Sequence, residues 1–129
     1  MSRSPIVITL LIALILTLAA CSSQASAPAA SVETYLRGLI EKDADAVINS
    51  SCLAWEAQAL AEVDSFSTVD AELKDFSCTQ SGETTDGTLV SCSGTIIFSY
   101  GDERQELSVE GQDYIAVQEN GEWRMCGYR

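Results

Sequence analysis

The chain is expected to form an α+β domain in which N-terminal helices pack on a curved four-stranded antiparallel meander. Three observations lead there. Apolar residues recur at helical spacing in the first part of the domain. From about Leu73 the period switches to alternation, and turn signals then arrive at residues 82–87, at Gly101-Asp102 and at Asn120-Gly121. Helices followed by a run of hairpins make an α+β architecture.

The helical part divides into three. Val32, Tyr35, Leu36, Leu39 and Ile40 fall on one side of a helix, with Arg37 and Glu41 on the other, and Ser31 can cap its first turn. Lys42-Asp43-Ala44-Asp45 breaks this helix, and a short second one follows through Val47 and Ile48 with Asp43 as its cap. A third pattern carries Leu53, Ala57, Leu60 and Ala61, with Phe66 beyond. No proline follows Pro28, so polar residues and glycine must make the breaks.

The turns set the strand register. Asn-Gly suits a two-residue type I′ turn, where both central residues need positive φ. A two-residue loop at Asn120-Gly121 sets Glu119 opposite Glu122, Val117 opposite Arg124 and Ile115 opposite Cys126. The same rule at Gly101-Asp102 sets Tyr100 opposite Glu103, Ile96 opposite Leu107 and Cys92 opposite Gly111. Opposed residues share a face, so Val90, Cys92, Ile96, Phe98, Leu107, Val109, Ile115, Val117 and Cys126 are expected to face the helices. The outward face then collects serines, threonine and charged residues, with Tyr114, Trp123 and Met125 clustered toward one end. A bulge near Gly111 would shift part of this by one residue. An exposed aromatic cluster with a polar rim marks an association surface, for a homodimer or an envelope protein. The alternative is that a strongly curved sheet folds Trp123 against the neighbouring loop as a satellite core.

The register also prunes the cysteine pairings. Cys92 and Cys126 flank the same strand, about 9–10 Å apart, beyond the roughly 7 Å that a disulfide spans between Cα atoms. Cys78–Cys92 with Cys52–Cys126 is preferred, and Cys52–Cys92 with Cys78–Cys126 stays open. Without histidine or a CxxC pair, a zinc site is the weaker reading of these cysteines, and no metal or cofactor is expected.

Ahead of the domain, Arg3 precedes an apolar run from Ile6 that closes on Leu18-Ala19-Ala20-Cys21. A charged start, a core too short for a comfortable span and small residues before a cut read as a secretory signal peptide over residues 1–20. The closing tetrapeptide resembles the lipobox of bacterial lipoproteins, which implies acylation of Cys21 and a membrane anchor on the extracytoplasmic side. Residues 21–30 carry nothing large to bury and are expected to be a lipidated tether, leaving residues 31–129 as one domain. Removal of residues 1–20 takes Arg3 from seven basic residues, so six remain against 19 acidic ones, a formal charge of −13. That field repels polyanions and argues against nucleic acid.

The Ser31-capped helix, the Lys42-Asp43-Ala44-Asp45-Ala46-Val47 segment and the closing Asn120-Gly121-Glu122-Trp123 strand together resemble the nuclear transport factor 2-like (NTF2-like, cystatin-like) superfamily, and within it small bacterial lipoproteins. The resemblance covers residues 31–128 and implies a cone-shaped fold that hosts isomerases, dehydratases, scaffolds and binding modules alike. A two-helix-plus-meander lipoprotein fold is the alternative, and strand order separates the two. Catalytic members of the superfamily use a carboxylate base with a Tyr or His partner, which would here be Tyr35 with Asp43 or Asp45. At helical spacing Tyr35 reads more simply as a core residue and Asp43 as a cap. No catalytic residue is assigned, and the expected function is a membrane-tethered binding or accessory module of the cell envelope.

Overall fold

The computed structural model describes residues 26–129. The expected signal peptide, Cys21 and tether residues up to 25 lie outside the described residues. The rest is an α+β arrangement of three helices and one five-stranded antiparallel sheet. Helix α1 is Ala27–Glu41, α2 is Ala44–Asn49 and α3 is Glu56–Phe66. Strands β1 (Asp70–Thr84), β2 (Gly87–Tyr100), β3 (Glu103–Ser108), β4 (Asp113–Glu119) and β5 (Glu122–Tyr128) follow.

Helix α1 begins four residues before Ser31. Pro28 falls in its first turn, where a missing N–H costs nothing because no helical carbonyl is available to it. Ala29 is fully buried, so the domain absorbs the end of the expected tether, and Ser31 sits inside the helix with its hydroxyl donating to the Pro28 carbonyl at 2.7 Å. Val32, Tyr35, Leu36 and Leu39 form the buried face, and Lys42 ends the helix in a left-handed conformation, φ 61°. Asp43 caps α2, accepting from the Ala46 N–H at 3.0 Å. Helix α3 is rotated from expectation. Ala59, Val63 and Phe66 turn inward, while Leu53, Ala57, Leu60 and Ala61 are exposed.

The sheet runs β1-β2-β4-β5, with β3 also paired to β2. Five strands replace the expected four because the third strand is interrupted. Tyr100 faces Glu103 and Ile96 faces Leu107, as the turn rule requires. The Val109 N–H then donates to the Gly94 carbonyl at 3.1 Å, and the chain turns at Glu110-Gly111 with Gly111 at φ 89°. Pairing resumes with Ser91 opposite Asp113 and Val90 opposite Tyr114. The extra residue of this bulge displaces everything after it by one position, which exchanges the two faces of β4 and β5. Tyr114, Ala116, Trp123 and Met125 therefore point to the helices, and Ile115, Val117 and Cys126 do not join the core.

A second irregularity bends the long β1–β2 ribbon. Strand β1 bulges between Lys74 and Ser77, with Asp75 at φ 51°, directly opposite Gly94 at φ 120°. A Cβ on Gly94 would lie 2.8 Å from the Phe76 Cα and 2.9 Å from the Asp75 and Lys74 carbonyl oxygens. Only glycine fits this crossing. The acidic residues Asp70, Glu72 and Asp75 belong to β1, and Asp70 and Glu72 pair with Lys42 and Arg104.

Candidate functional site

Two features meet where the helices close over β4 and β5. The first is built around Tyr35, which α1 carries into the interior. Its side chain is fully buried, and its hydroxyl donates to Glu62 Oε2 at 2.6 Å while accepting from Trp55 Nε1 at 3.1 Å. Tyr128, at the end of β5, donates to Glu62 Oε1 at 3.1 Å, and Gln58 Nε2 reaches the same oxygen at 3.5 Å. The rings pack edge to face, with Trp55 to Tyr128 at 5.4 Å and Tyr114 to Tyr128 at 6.1 Å between centroids. Such perpendicular contacts place ring edges against π faces and add to the burial of their area.

The carboxylate partner of Tyr35 is thus Glu62. Asp43 is the α2 cap and Asp45 lies exposed in the first turn of the same helix, so neither joins Tyr35. The signal for Glu62 lies in the sequence: Trp55, Ala59, Glu62, Val63 and Phe66 recur at helical spacing and form the inward stripe of α3. Burial pushes the Tyr35 phenol far above its ordinary value, and the hydrogen bond to Glu62 adds to the shift. Tyr114 and Tyr128 are raised as well, by burial first and then by the Glu62 charge. Phenols held protonated this way are hydrogen-bond donors at neutral pH, and poor proton donors in a reaction. Chemically, the cluster fixes a carboxylate between aromatic rings and locks α3 to α1 and β5.

Each of the four described cysteines has a partner. Cys52 and Cys126 are joined with Cα atoms 5.2 Å apart, tying the segment before α3 to β5. Beside this bridge, Cys52 N–H donates to the Met125 carbonyl at 2.9 Å and Met125 N–H to the Ser50 carbonyl at 2.7 Å, so residues 50–52 cover the outer edge of β5. Cys78 and Cys92 are opposed residues of β1 and β2 and are buried. Glu33 of α1 accepts from the Cys78 N–H at 2.7 Å, which fastens the helix to the sheet at this bridge.

Two of the three residues expected on an outward association surface are buried. Tyr114 and Met125 are 5% and 0% exposed within the core, and Trp123 packs against that core while staying partly exposed. The reason is the one-residue displacement after β3. The accessible part of Trp123 lines the second feature, an open groove of about 540 Å3 between α1, α2 and the β4–β5 turn. Ala27, Ala30 and Thr34 line it from α1, Ala46 and Asn49 from α2, and Glu122, Trp123 and Arg124 from β5. Arg124 is ion-paired with Glu122.

No protein-family model matches the chain, and no curated protein matches it. Among solved structures it is similar to the helical cell shape determining protein Pgp2 from Campylobacter jejuni, with a TM-score of 0.50 and 10% identity. That alignment covers 78% of this chain and 38% of Pgp2, so the chain spans well under half of that protein's length. It is also similar to a protein designated Rd1NTF2_05 that carries five substitutions, with a TM-score of 0.43 and 13% identity over 76% of this chain and 92% of that one. At such identities the likeness to Pgp2 is one of fold: helices laid on an antiparallel sheet.

Proposed function

We propose that the chain is an extracytoplasmic lipoprotein, held at the cell membrane or outer membrane through an acylated Cys21, whose NTF2-like cone works as a binding or accessory module of the envelope. The observation that carries this reading is the use of the cysteines. Of five, four pair with one another, and the fifth is Cys21 at the end of Leu18-Ala19-Ala20-Cys21. Disulfides belong to oxidising compartments, which agrees with export. No helix among the described residues is long and apolar enough to cross a membrane. The anchor in this reading is the lipid on Cys21. An accessory role is favoured over catalysis because the Tyr35 hydroxyl is buried and already engaged by both Glu62 and Trp55.

The test is partition of the wild-type protein and Cys21→Ser between membrane and soluble fractions. Wild type should sediment with membranes and enter detergent. The variant should remain uncleaved or be soluble. Wild-type protein found only in the soluble fraction contradicts the reading.

A further inference from the structure

We propose that the groove between α1, α2 and the β4–β5 turn is the face of the domain that rests on the bilayer, with the partly exposed Trp123 in the headgroup layer. The proposal rests on the lipid anchor at Cys21. Ser26 is five residues from that cysteine, and an extended chain spans at most about 3.6 Å per residue, so the start of α1 lies within about 18 Å of the anchor point. Ala27, the first residue of α1, lines the groove together with Trp123. The end of the domain that the tether holds at the membrane is therefore the end that carries the groove. The β2–β3 turn at Gly101-Asp102, with exposed Tyr100 and Leu107, terminates the far end of β2.

The lining suits that position. Alanines 27, 30 and 46 alternate with the small polar side chains of Ser31, Thr34 and Ser50, a mixed lining that suits the headgroup layer, and Trp123 adds an indole, a ring whose apolar body and N–H favour the boundary between hydrocarbon and water. The contact is not electrostatic. The expected mature chain is strongly acidic, and Arg124, the cation beside Trp123, is occupied by Glu122. Attraction to anionic lipid would be weak, and the contact should depend on insertion of the ring rather than on salt.

Quenching of tryptophan emission tests this. The lipidated mature protein is reconstituted into phosphatidylcholine vesicles whose acyl chains are brominated or not, and flotation of the protein with the vesicles is measured in parallel. The chain has two tryptophans, so brominated vesicles should remove emission approaching the share of one of them, equally at low and high salt. Trp123→Phe should abolish the quenching. If that variant does not fold, Trp55→Phe isolates the same signal, because its remaining emission comes from Trp123. Protein that floats with the vesicles and is not quenched overturns the inference while the anchor stands. Protein that does not float removes the anchor reading itself. Quenching that persists in Trp123→Phe also overturns the proposal, since another face would then lie on the bilayer.

Discussion

Tyr35 donates a 2.6 Å hydrogen bond to Glu62, linking α1 to α3 across 27 residues of chain. Tyr35→Phe keeps the ring's packing but leaves Trp55 Nε1 and Glu62 Oε2 without this partner in a partly buried site. Hydrogen bonds to charged groups and buried groups left unpaired each count for about 1–3 kcal/mol, so the variant should lose that much in denaturant unfolding. A double-mutant cycle with Glu62→Ala should return a coupling of about 0.5–3 kcal/mol. Additive losses would mean that the bond contributes nothing to stability.

The same cluster sets an alkaline limit. Tyr35, Tyr114 and Tyr128 all hold their protons above the ordinary phenol value of 10.0 in the folded state, chiefly through burial. The unfolded chain releases these protons first as pH rises, so the stabilisation is complete below pH 10 and is lost progressively above it, as pH climbs toward the folded values. A fully buried phenol contributes a slope of up to about 1.4 kcal/mol per pH unit, and the more exposed Tyr128 contributes less. Unfolding free energies measured from pH 8 upward should show the decline, with a shallower slope in Tyr35→Phe. An unchanged slope in the variant would assign the decline to other groups.

The two bridges should differ in weight. Cys52–Cys126 spans 74 residues and Cys78–Cys92 spans 14. Loop-closure entropy gives about 4.4 and about 3 kcal/mol respectively. The paired replacement Cys52→Ser with Cys126→Ser should therefore lower the unfolding free energy more than Cys78→Ser with Cys92→Ser. Equal losses, or the reverse order, would show that native contacts around Cys78 and Cys92 outweigh the chain-entropy difference.

Local rules reached the helices and both tight turns. Asp43 is recognisable as a cap from its place before Ala44, and Tyr100 and Glu119 take the partners that two-residue turns dictate. The strand between Cys92 and Cys126, which sets them too far apart to pair, is β4. Local rules failed where one extra residue entered the sheet. Glycine marks the region of Glu110-Gly111, but alternation alone does not locate the displaced residue, and every face after it is inverted, which took Tyr114, Trp123 and Met125 from the expected surface to the helix side. Glu62 was missed for a different reason. Its stripe on α3 is only partly apolar, and Leu53, Ala57, Leu60 and Ala61 present a competing pattern that faces solvent. Which of the two packs inward is set by contact with the rest of the core, where Ala59, Val63 and Phe66 pack and Glu62 meets the Tyr35 hydroxyl, a tertiary fact.

Gly94 should tolerate no side chain. It combines φ 120° with backbone atoms of the β1 bulge within 3 Å of where a Cβ would stand. Gly94→Ala must open the bulge or shift the strands, and strain of this kind costs about 1–3 kcal/mol before any loss of packing. Thermal unfolding should register it, whereas Gly101→Ala, at a turn where a Cβ meets nothing within 4 Å, should lose less. Equal effects would place the strain in φ alone.

The central claim is a lipid-anchored domain closed by two disulfides, and intact-mass analysis of the protein extracted from membranes without reductant addresses both parts at once. The account predicts a chain that begins at Cys21, is heavier than the polypeptide by a diacylglycerol-type lipid, and is lighter by the four hydrogens lost in forming two bridges. A chain that still carries residues 1–20, or one of polypeptide mass alone, would contradict it.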